Sequence, residues 1–353
     1  MIGVCLAAGA GTRLEPLTRV TPKPLLAPAG RPLVDLAVEA LRRAGATRVV
    51  VNAHHGADQL VARLAGRPGV EVVAEPVLLG TGGGLVNAAR LGLLGDGDDP
   101  VLVTAADHVV DPADLADLAA FLDRSGAPLA AGLIPAGPDP FGLRLEATAA
   151  DPPGCHPPPG KGPGAAAGAG EGPAPAGGRV VRDPAGPWDS AGAYALRAGL
   201  LCDLEPGPAT LSGRVLGPLL DRGRLAGLPF RGPVADAGTL PRLLAVSAGL
   251  LSGRWPYALP SGRLRRTVGG GPVFLAGGAE VDPAAVLAGP VVIDTGATVA
   301  AGVVVARSVV GPGAVVGAGA RVTGSFLGPS AQVPPGATVT AALVPAAAAQ
   351  PTG

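Results

Sequence analysis

Residues 6–25 read LAAGAGTRLEPLTRVTPKPL, a stretch whose side chains and spacing suit an anionic ligand. The apolar run 2–8 reads as a buried strand. It breaks at Gly9 and Gly11, where a chain without side chains can bring backbone N–H groups close to a bound group. Arg13 follows at once, and Lys23 sits between Pro22 and Pro24, which hold its segment extended. A glycine turn, a guanidinium and an ammonium are the donors that a phosphate requires. The string is neither a dinucleotide G-x-G-x-x-G nor a P-loop, which needs Gly-Lys-Ser/Thr. Lys23 and Lys161 are the only lysines, against 25 arginines. A compact ammonium at position 23 therefore reads as selected.

The elements that must carry this loop follow in a regular alternation. Residues 31–44 place Leu33, Leu36, Ala37, Ala40 and Leu41 at helical spacing and stop at Gly45. Strands are expected at 48–53, 70–74 and 100–105, and helices at 58–64 and 112–124, the last with Asp111 as N-cap. Thr81-Gly82-Gly83-Gly84 is expected to open a helix over 85–93. Short apolar strands alternating with amphipathic helices predict an α/β fold, a Rossmann-like, mostly parallel sheet with helices on both faces. Ligands of such sheets bind beyond the C-terminal strand ends, where residues 9–13, 80–84 and Asp107 fall. Further strands are expected at 129–134, 141–147, 179–182 and 190–196, with helical patterns at 211–221 and 240–251. Between them, residues 151–178 are nearly all Pro, Gly and Ala, a composition that cannot bury enough surface to order itself. Cys155 and His156 within it read as incidental.

The last segment changes period. An aliphatic residue recurs every six positions at Leu275, Val281, Leu287, Ile293, Val299 and Val305. After a five-residue step come Val310, Val316 and Val322, and after another Leu327, Val333 and Val339. Such hexads predict a left-handed parallel β-helix of about four coils. The expected organisation is residues 1–253 as one domain, 254–271 as linker, 272–342 as β-helix and 343–353 as a flexible tail.

Bulk properties exclude other classes. The 27 basic and 27 acidic residues balance, so no field favours nucleic acid or an anionic membrane. No apolar run reaches the ~18 residues that span a bilayer, and no basic-then-apolar leader precedes the first strand. Cys5, Cys155 and Cys202 are too few and scattered for a disulfide framework or zinc site. The expectation is a cytoplasmic protein.

The string G-A-G-T-R-L followed by P-K-P-L closely resembles the signature of nucleotide-sugar pyrophosphorylases (sugar-phosphate nucleotidyltransferases), and in look most closely mannose-1-phosphate guanylyltransferases. The resemblance implies transfer of a nucleotidyl group from an NTP, with GTP favoured, to a sugar 1-phosphate, with mannose 1-phosphate favoured. Arg13 and Lys23 would be catalytic, and Leu6, Ala8, Gly9, Gly11 and Thr12 would bind the nucleotide. The segment EPVLLGTGGGL resembles the base-recognition segment, which adds Glu75, Gly80, Thr81, Gly82 and Gly83. V-N-A-H-H at 51–55 resembles the second-strand signature, with His54 and His55 in packing roles. Asp107 and Asp236, the latter in V-A-D-A-G-T, match the family's Mg2+-binding aspartates. Gly142, Arg182, Ser190 and Gly192 fall where the sugar phosphate is held.

That acceptor side departs from the family. Ala105-Ala106-Asp107 replaces Asn-x-Asp, Arg182-Asp183-Pro184 replaces Glu-Lys-Pro, and Ser190-Ala191-Gly192 replaces Asn-Ala-Gly. Two alternatives stay open: a uridylyl- or thymidylyltransferase with another sugar 1-phosphate, and a weakly active, nucleotide-sugar-binding regulatory homologue. Acyl transfer on the β-helix is excluded, because all four histidines precede residue 157. The β-helix is instead expected to join subunits into a homo-oligomer.

Overall fold

Strand β1 (Ile2–Leu6) lies in the interior of the first sheet because its run IGVCL is apolar enough to be covered on both faces. Val4 packs into the cluster that holds Leu85 and Ala88, while on the other face Gly3 lies against Leu41. The computed structural model describes residues 1–137, 143–146, 177–183, 185–266 and 270–346. It forms two compact units: Met1–Gly9, Ala37–Ala105 and Val110–Val234 make one; Ala10–Leu36, Ala106–Val109 and Ala235–Gly353 make the other. The boundary expected near 253 therefore divides the chain differently. Residues 10–36 and 106–109 keep company with the C-terminal part.

In the first unit, β2 (Arg48–Ala53), β3 (Val70–Ala74) and β4 (Pro100–Ala105) join β1 in the order β3-β2-β1-β4, all parallel. Their helices are α1 (Leu33–Arg43), α2 (Ala57–Leu64), α3 (Gly80–Arg90) and α4 (Pro112–Ser125), the last capped by Asp111 accepting from Ala113 N. The C-terminal ends are in register, with Leu6 level with Asn52 and Ala105. Strand β9 (Trp188–Arg197) then runs antiparallel between β4 and β6 (Leu129–Pro135), which makes the nine-stranded sheet mixed. Strands β10 (Leu225–Pro229), β8 (Gly178–Arg182) and β7 (Leu143–Glu146) complete it. Gly178, expected in the disordered insertion, opens β8; residues 151–176 of that insertion and Gly142 lie outside the described residues.

Two elements differ from expectation. Helix α3 starts at Gly80, so Gly82, Gly83 and Gly84 lie inside its first turns rather than ahead of it. The pattern at 211–221 resolves into a π-helical turn, Ser212–Leu216, before α5 (Gly217–Asp221).

The second unit is built on the hexads, which stack in register. Leu275, Ile293, Val310, Leu327 and Val344 form one column; Val281, Val299, Val316 and Val333 another; Leu287, Val305, Val322 and Val339 the third. Each column is a parallel sheet, and together they close a parallel β-helix around a dry aliphatic core. The last strand, Leu343–Val344, runs past the boundary expected at 342 because one more five-residue step continues the pattern. Within the stretch expected as linker, Gly262–Arg266 pairs antiparallel with Pro272–Ala276 and covers the edge of the first coil. Between Asp107 and this unit's helix Leu240–Leu251 lies a two-stranded ribbon, β5 (His108–Val109) with β11 (Ala235–Asp236).

Candidate active site

The second unit holds the cationic and anionic groups of the signature. Gly11 takes the left-handed conformation, φ 69°, and ends the glycine turn; its carbonyl accepts from Leu14 N at 2.9 Å and from Thr18 Oγ1 at 3.0 Å. A Cβ there would stand 3.0 Å from Lys23 Cβ, so the glycine lets the two parts of the signature touch. Lys23 is buried, in a short 3-10 turn, and its ammonium pairs with Asp107 Oδ2. Asp107 Oδ1 accepts from His108 Nδ1 at 2.9 Å. Burial opposes ionisation of this carboxyl. The hydrogen bond and charge of His108, then the charge and hydrogen bond of Lys23, outweigh it and hold the group well below the carboxylate range.

Asp236 sits opposite His108 in the β5–β11 ribbon, and Ala237 N donates to Asp107 O at 2.8 Å. The backbone thus brings the two expected metal-binding aspartates to one ribbon, Asp107 just ahead of β5 and Asp236 within β11. Asp236 Oδ1 accepts from Gly238 N at 2.7 Å, and Oδ2 pairs with Arg242. A Cβ on Gly238 would lie 2.7 Å from Arg13 Nη2, which puts the Arg13 guanidinium beside the same turn. Arg13, Lys23, Asp107 and Asp236 are therefore gathered in one unit. His108 and Arg242, which hold the two carboxylates, were not among the expected site residues; the only signal for His108 was its adjacency to Asp107.

Among the described residues no group of three His, Cys, Asp or Glu is placed to hold a metal. Two carboxylates, one ahead of β5 and one in β11, do not make a closed protein site. Their chemistry fits a hard divalent cation such as Mg2+, which can be held by only one or two protein oxygens.

The first unit holds the remaining residues. Leu6 ends β1, and the amide of Ala7 donates to Asn52 Oδ1 at 2.8 Å. Ala8 is buried, whereas Gly9 is exposed and a Cβ on it would meet nothing within 4 Å. Glu75 points inward: its carboxylate accepts from Asn52 Nδ2 at 2.7 Å and from Leu79 N at 3.3 Å. Gly82 N and Gly83 N both donate to Ala209 O, at 2.9 and 3.1 Å, and Thr81 Oγ1 accepts from Leu211 N at 2.8 Å. A Cβ on Gly82 would stand 2.5 Å from Thr210 O, and one on Gly80 2.7 Å from Ala209 O. The close approach these glycines permit is thus to the chain's own segment 207–211, where the Gly82 and Gly83 amides are already engaged.

Ser190 and Tyr194 flank the point where β9 slips register against β6, and Gly192 lies between them. Gly192 is left-handed, φ 69°, and donates its N–H to Ser190 Oγ at 3.1 Å, while Ser190 Oγ and Tyr194 Oη are 2.8 Å apart. Burial pushes the Tyr194 phenol up, so it stays protonated and able to donate. Arg182 lies in β8, exposed and paired with Asp221 at 3.2 Å.

Residues 2–140 match the nucleotidyl transferase family. Over 115 residues the chain is 41% identical to an N-acetylmuramate alpha-1-phosphate uridylyltransferase of Caulobacter vibrioides, covering 31% of this chain and 46% of the relative. It is 36% identical over 117 residues to the bifunctional protein GlmU of Bordetella parapertussis, covering 33% and 25%. It is also 36% identical over 116 residues to a mannose-1-phosphate guanyltransferase of Aspergillus fumigatus, covering 31% and 31%. The chain thus spans less than half the length of these curated relatives. The match contains the whole signature loop, Glu75 to Gly83 and Asp107, so over residues 2–140 the chain is similar to nucleotidyl transferases.

Proposed function

We propose that this chain joins a nucleoside triphosphate to a sugar 1-phosphate. An oxygen of the sugar phosphate attacks the α-phosphorus, the new P–O bond forms, and the bond to the β-phosphate breaks to release pyrophosphate. The acceptor is already an anion, so no protein nucleophile is needed, and the rate comes from positioning and charge neutralisation. The observation that carries this reading is the pairing of buried Lys23 with Asp107, with Arg13 and Asp236 gathered in the same unit. Gly9, Gly11 and Thr12 would offer backbone amides to the phosphates, Arg13 would meet the departing pyrophosphate, and Lys23 the α-phosphate. Asp107 and Asp236 would receive Mg2+, which when bound neutralises phosphate charge. Ser190, Tyr194 and Gly192 would face the sugar phosphate, with Arg182 in place of the lysine.

GTP and mannose 1-phosphate are the first pair to test, supported by the V-N-A-H-H string and the guanyltransferase relatives. UTP is the second, supported by the 41% identity to a uridylyltransferase. The enzyme is read as cytoplasmic, and as a homo-oligomer through its β-helix; among the described residues no helix is long and apolar enough to cross a membrane. Pyrophosphate release across a panel of NTPs and sugar 1-phosphates with Mg2+ tests the reading. One productive pair is expected. No turnover with any pair, alongside tight binding of a nucleotide sugar, would replace it with the regulatory one.

A further inference from the structure

The signature segment is fastened to the β-helix at two points that bracket Lys23. The first is Leu17, which is fully buried. Its Cδ1 lies 2.5 Å from where a Cβ on Gly328 would stand, in the last coil, with Val344 O 3.3 Å away from the same position. Any side chain at 328 would displace Leu17, so glycine there leaves the notch that Leu17 fills. The second is Gly30-Arg31. Gly30 is left-handed, φ 72°, and a Cβ on it would meet Pro260 Cγ at 2.9 Å and Phe274 Cε1 at 3.7 Å, Phe274 belonging to the first coil. Arg31 Nη1 donates to Ala258 O at 3.0 Å, and its guanidinium lies 6.0 Å from the Tyr257 ring centre. The segment consists of short 3-10 turns, Thr12–Leu14 just ahead of the first fastening and Leu17–Arg19 and Lys23–Leu25 between the two, which have little stability of their own. Something outside the turns must fix Arg13 and Lys23.

We propose that the β-helix is the seat of the phosphate-binding segment, with Leu17 and Gly328 as positioning residues that act through Arg13 and Lys23. This rests on the nucleotidyl-transfer reading for its catalytic consequence, though not for the seating itself. The β-helix then contributes directly to turnover, beyond any role in assembly, because its last coil forms one wall of the seat.

The test is a size swap in the full chain: Gly328→Val, Leu17→Ala and the double variant. Hydrogen exchange is read at Leu14, Glu15, Val20 and Thr21, whose amides close the turns. In each single variant these amides should exchange about tenfold faster, and in the double variant they should return most of the way to the parent rate. Turnover should follow, with kcat falling about tenfold or more while KM for the sugar phosphate holds within about twofold. Unchanged exchange at these amides in both single variants, or no recovery in the double, would overturn the seating. Should the parent protein turn over no substrate pair, the proposed function fails alone, and the exchange measurement still decides this proposal. A single variant that does not fold leaves the other single and the double to give the same answer.

Discussion

Asn52 and Glu75 are locked together in the interior of the first unit, Asn52 Nδ2 donating to Glu75 Oε1 at 2.7 Å. The same Asn52 side chain accepts the Ala7 amide, and Glu75 accepts the amide of Leu79. One buried pair thus ties the exit of β1, where the signature loop begins, to the start of the segment that leads into α3. Glu75, expected among the nucleotide-binding residues, makes both of these bonds, and its partner Asn52 sits in a string noted only for family likeness.

Asn52→Ala should therefore destabilise the fold strongly. It strands the Ala7 donor and one Glu75 oxygen in the interior, at about 1–3 kcal/mol for each unsatisfied group. A loss of roughly 2–4 kcal/mol in denaturant unfolding is expected. Glu75→Gln keeps one acceptor and should cost less. Equal stability of parent and Asn52→Ala would mean that these bonds are replaced by water.

The Lys23–Asp107 pair predicts a pH dependence. Asp107 has its pKa depressed in the folded state, so it contributes stability above the ordinary carboxylate pKa, about 4, and that contribution is lost as pH falls toward the folded value. Lys23→Met removes one of the two partners that depress it. Its unfolding midpoint should be lower near neutrality, and the difference from the parent should shrink as acid protonates Asp107. Curves that stay parallel from about pH 7 to pH 2 would show that the pair adds nothing. Turnover in Lys23→Met should fall by about 10²-fold or more, as for loss of one preorganised donor.

Much of this was legible in the sequence, for local reasons. A β-helix coil has a fixed length, so its aliphatics must recur, and Leu275 to Val339 fell into register as the hexads required. Even the five-residue steps have a cause. Each falls at the one corner where Arg307, Gly324 or Ala341 turns left-handed, and at the first two a buried serine follows, Ser308 or Ser325. Ser308 Oγ accepts from Ser325 N at 3.0 Å, and Ser325 Oγ from Ala342 N at 3.1 Å, which completes the tighter corner. The role of Gly80 to Gly84 was not legible, because segment 207–211, which packs on them, is more than a hundred residues away in the chain. Nor was the grouping of residues 10–36 with the C-terminal unit, since periodicity reports an element's buried face but not its partner.

Two glycines of the expected nucleotide site should respond in opposite ways. Gly82→Ala drives a Cβ against Thr210 O and the Leu211 backbone, neither of which is a flexible side-chain end. Overpacking of this kind costs about 1–3 kcal/mol, which thermal unfolding would register. Gly9→Ala meets nothing within 4 Å and should leave stability within about 0.5 kcal/mol. If phosphates approach the backbone at Gly9, the added methyl should raise KM for the NTP several-fold with the fold intact. An unchanged KM would remove Gly9 from the phosphate contacts.

Asp236 separates a metal-binding role from a purely structural one. Its carboxylate touches only the Gly238 amide and Arg242 among the contacts described, and the Arg242 side chain is 58% exposed, so the ion pair itself adds little to stability. Asp236→Asn keeps the acceptor for Gly238 N and removes the charge. If Mg2+ arrives on the substrate phosphates and meets this carboxylate, the Mg2+ concentration for half-maximal pyrophosphate release should rise about tenfold. Arg242→Met supplies the contrast. It breaks the same ion pair but leaves the carboxylate free for the metal, so its Mg2+ requirement should be unchanged or lower. A purely structural Asp236 would make the two variants indistinguishable in Mg2+ titration. Asp107→Asn should be the more damaging change, because it also discharges the partner of the buried Lys23 and of His108.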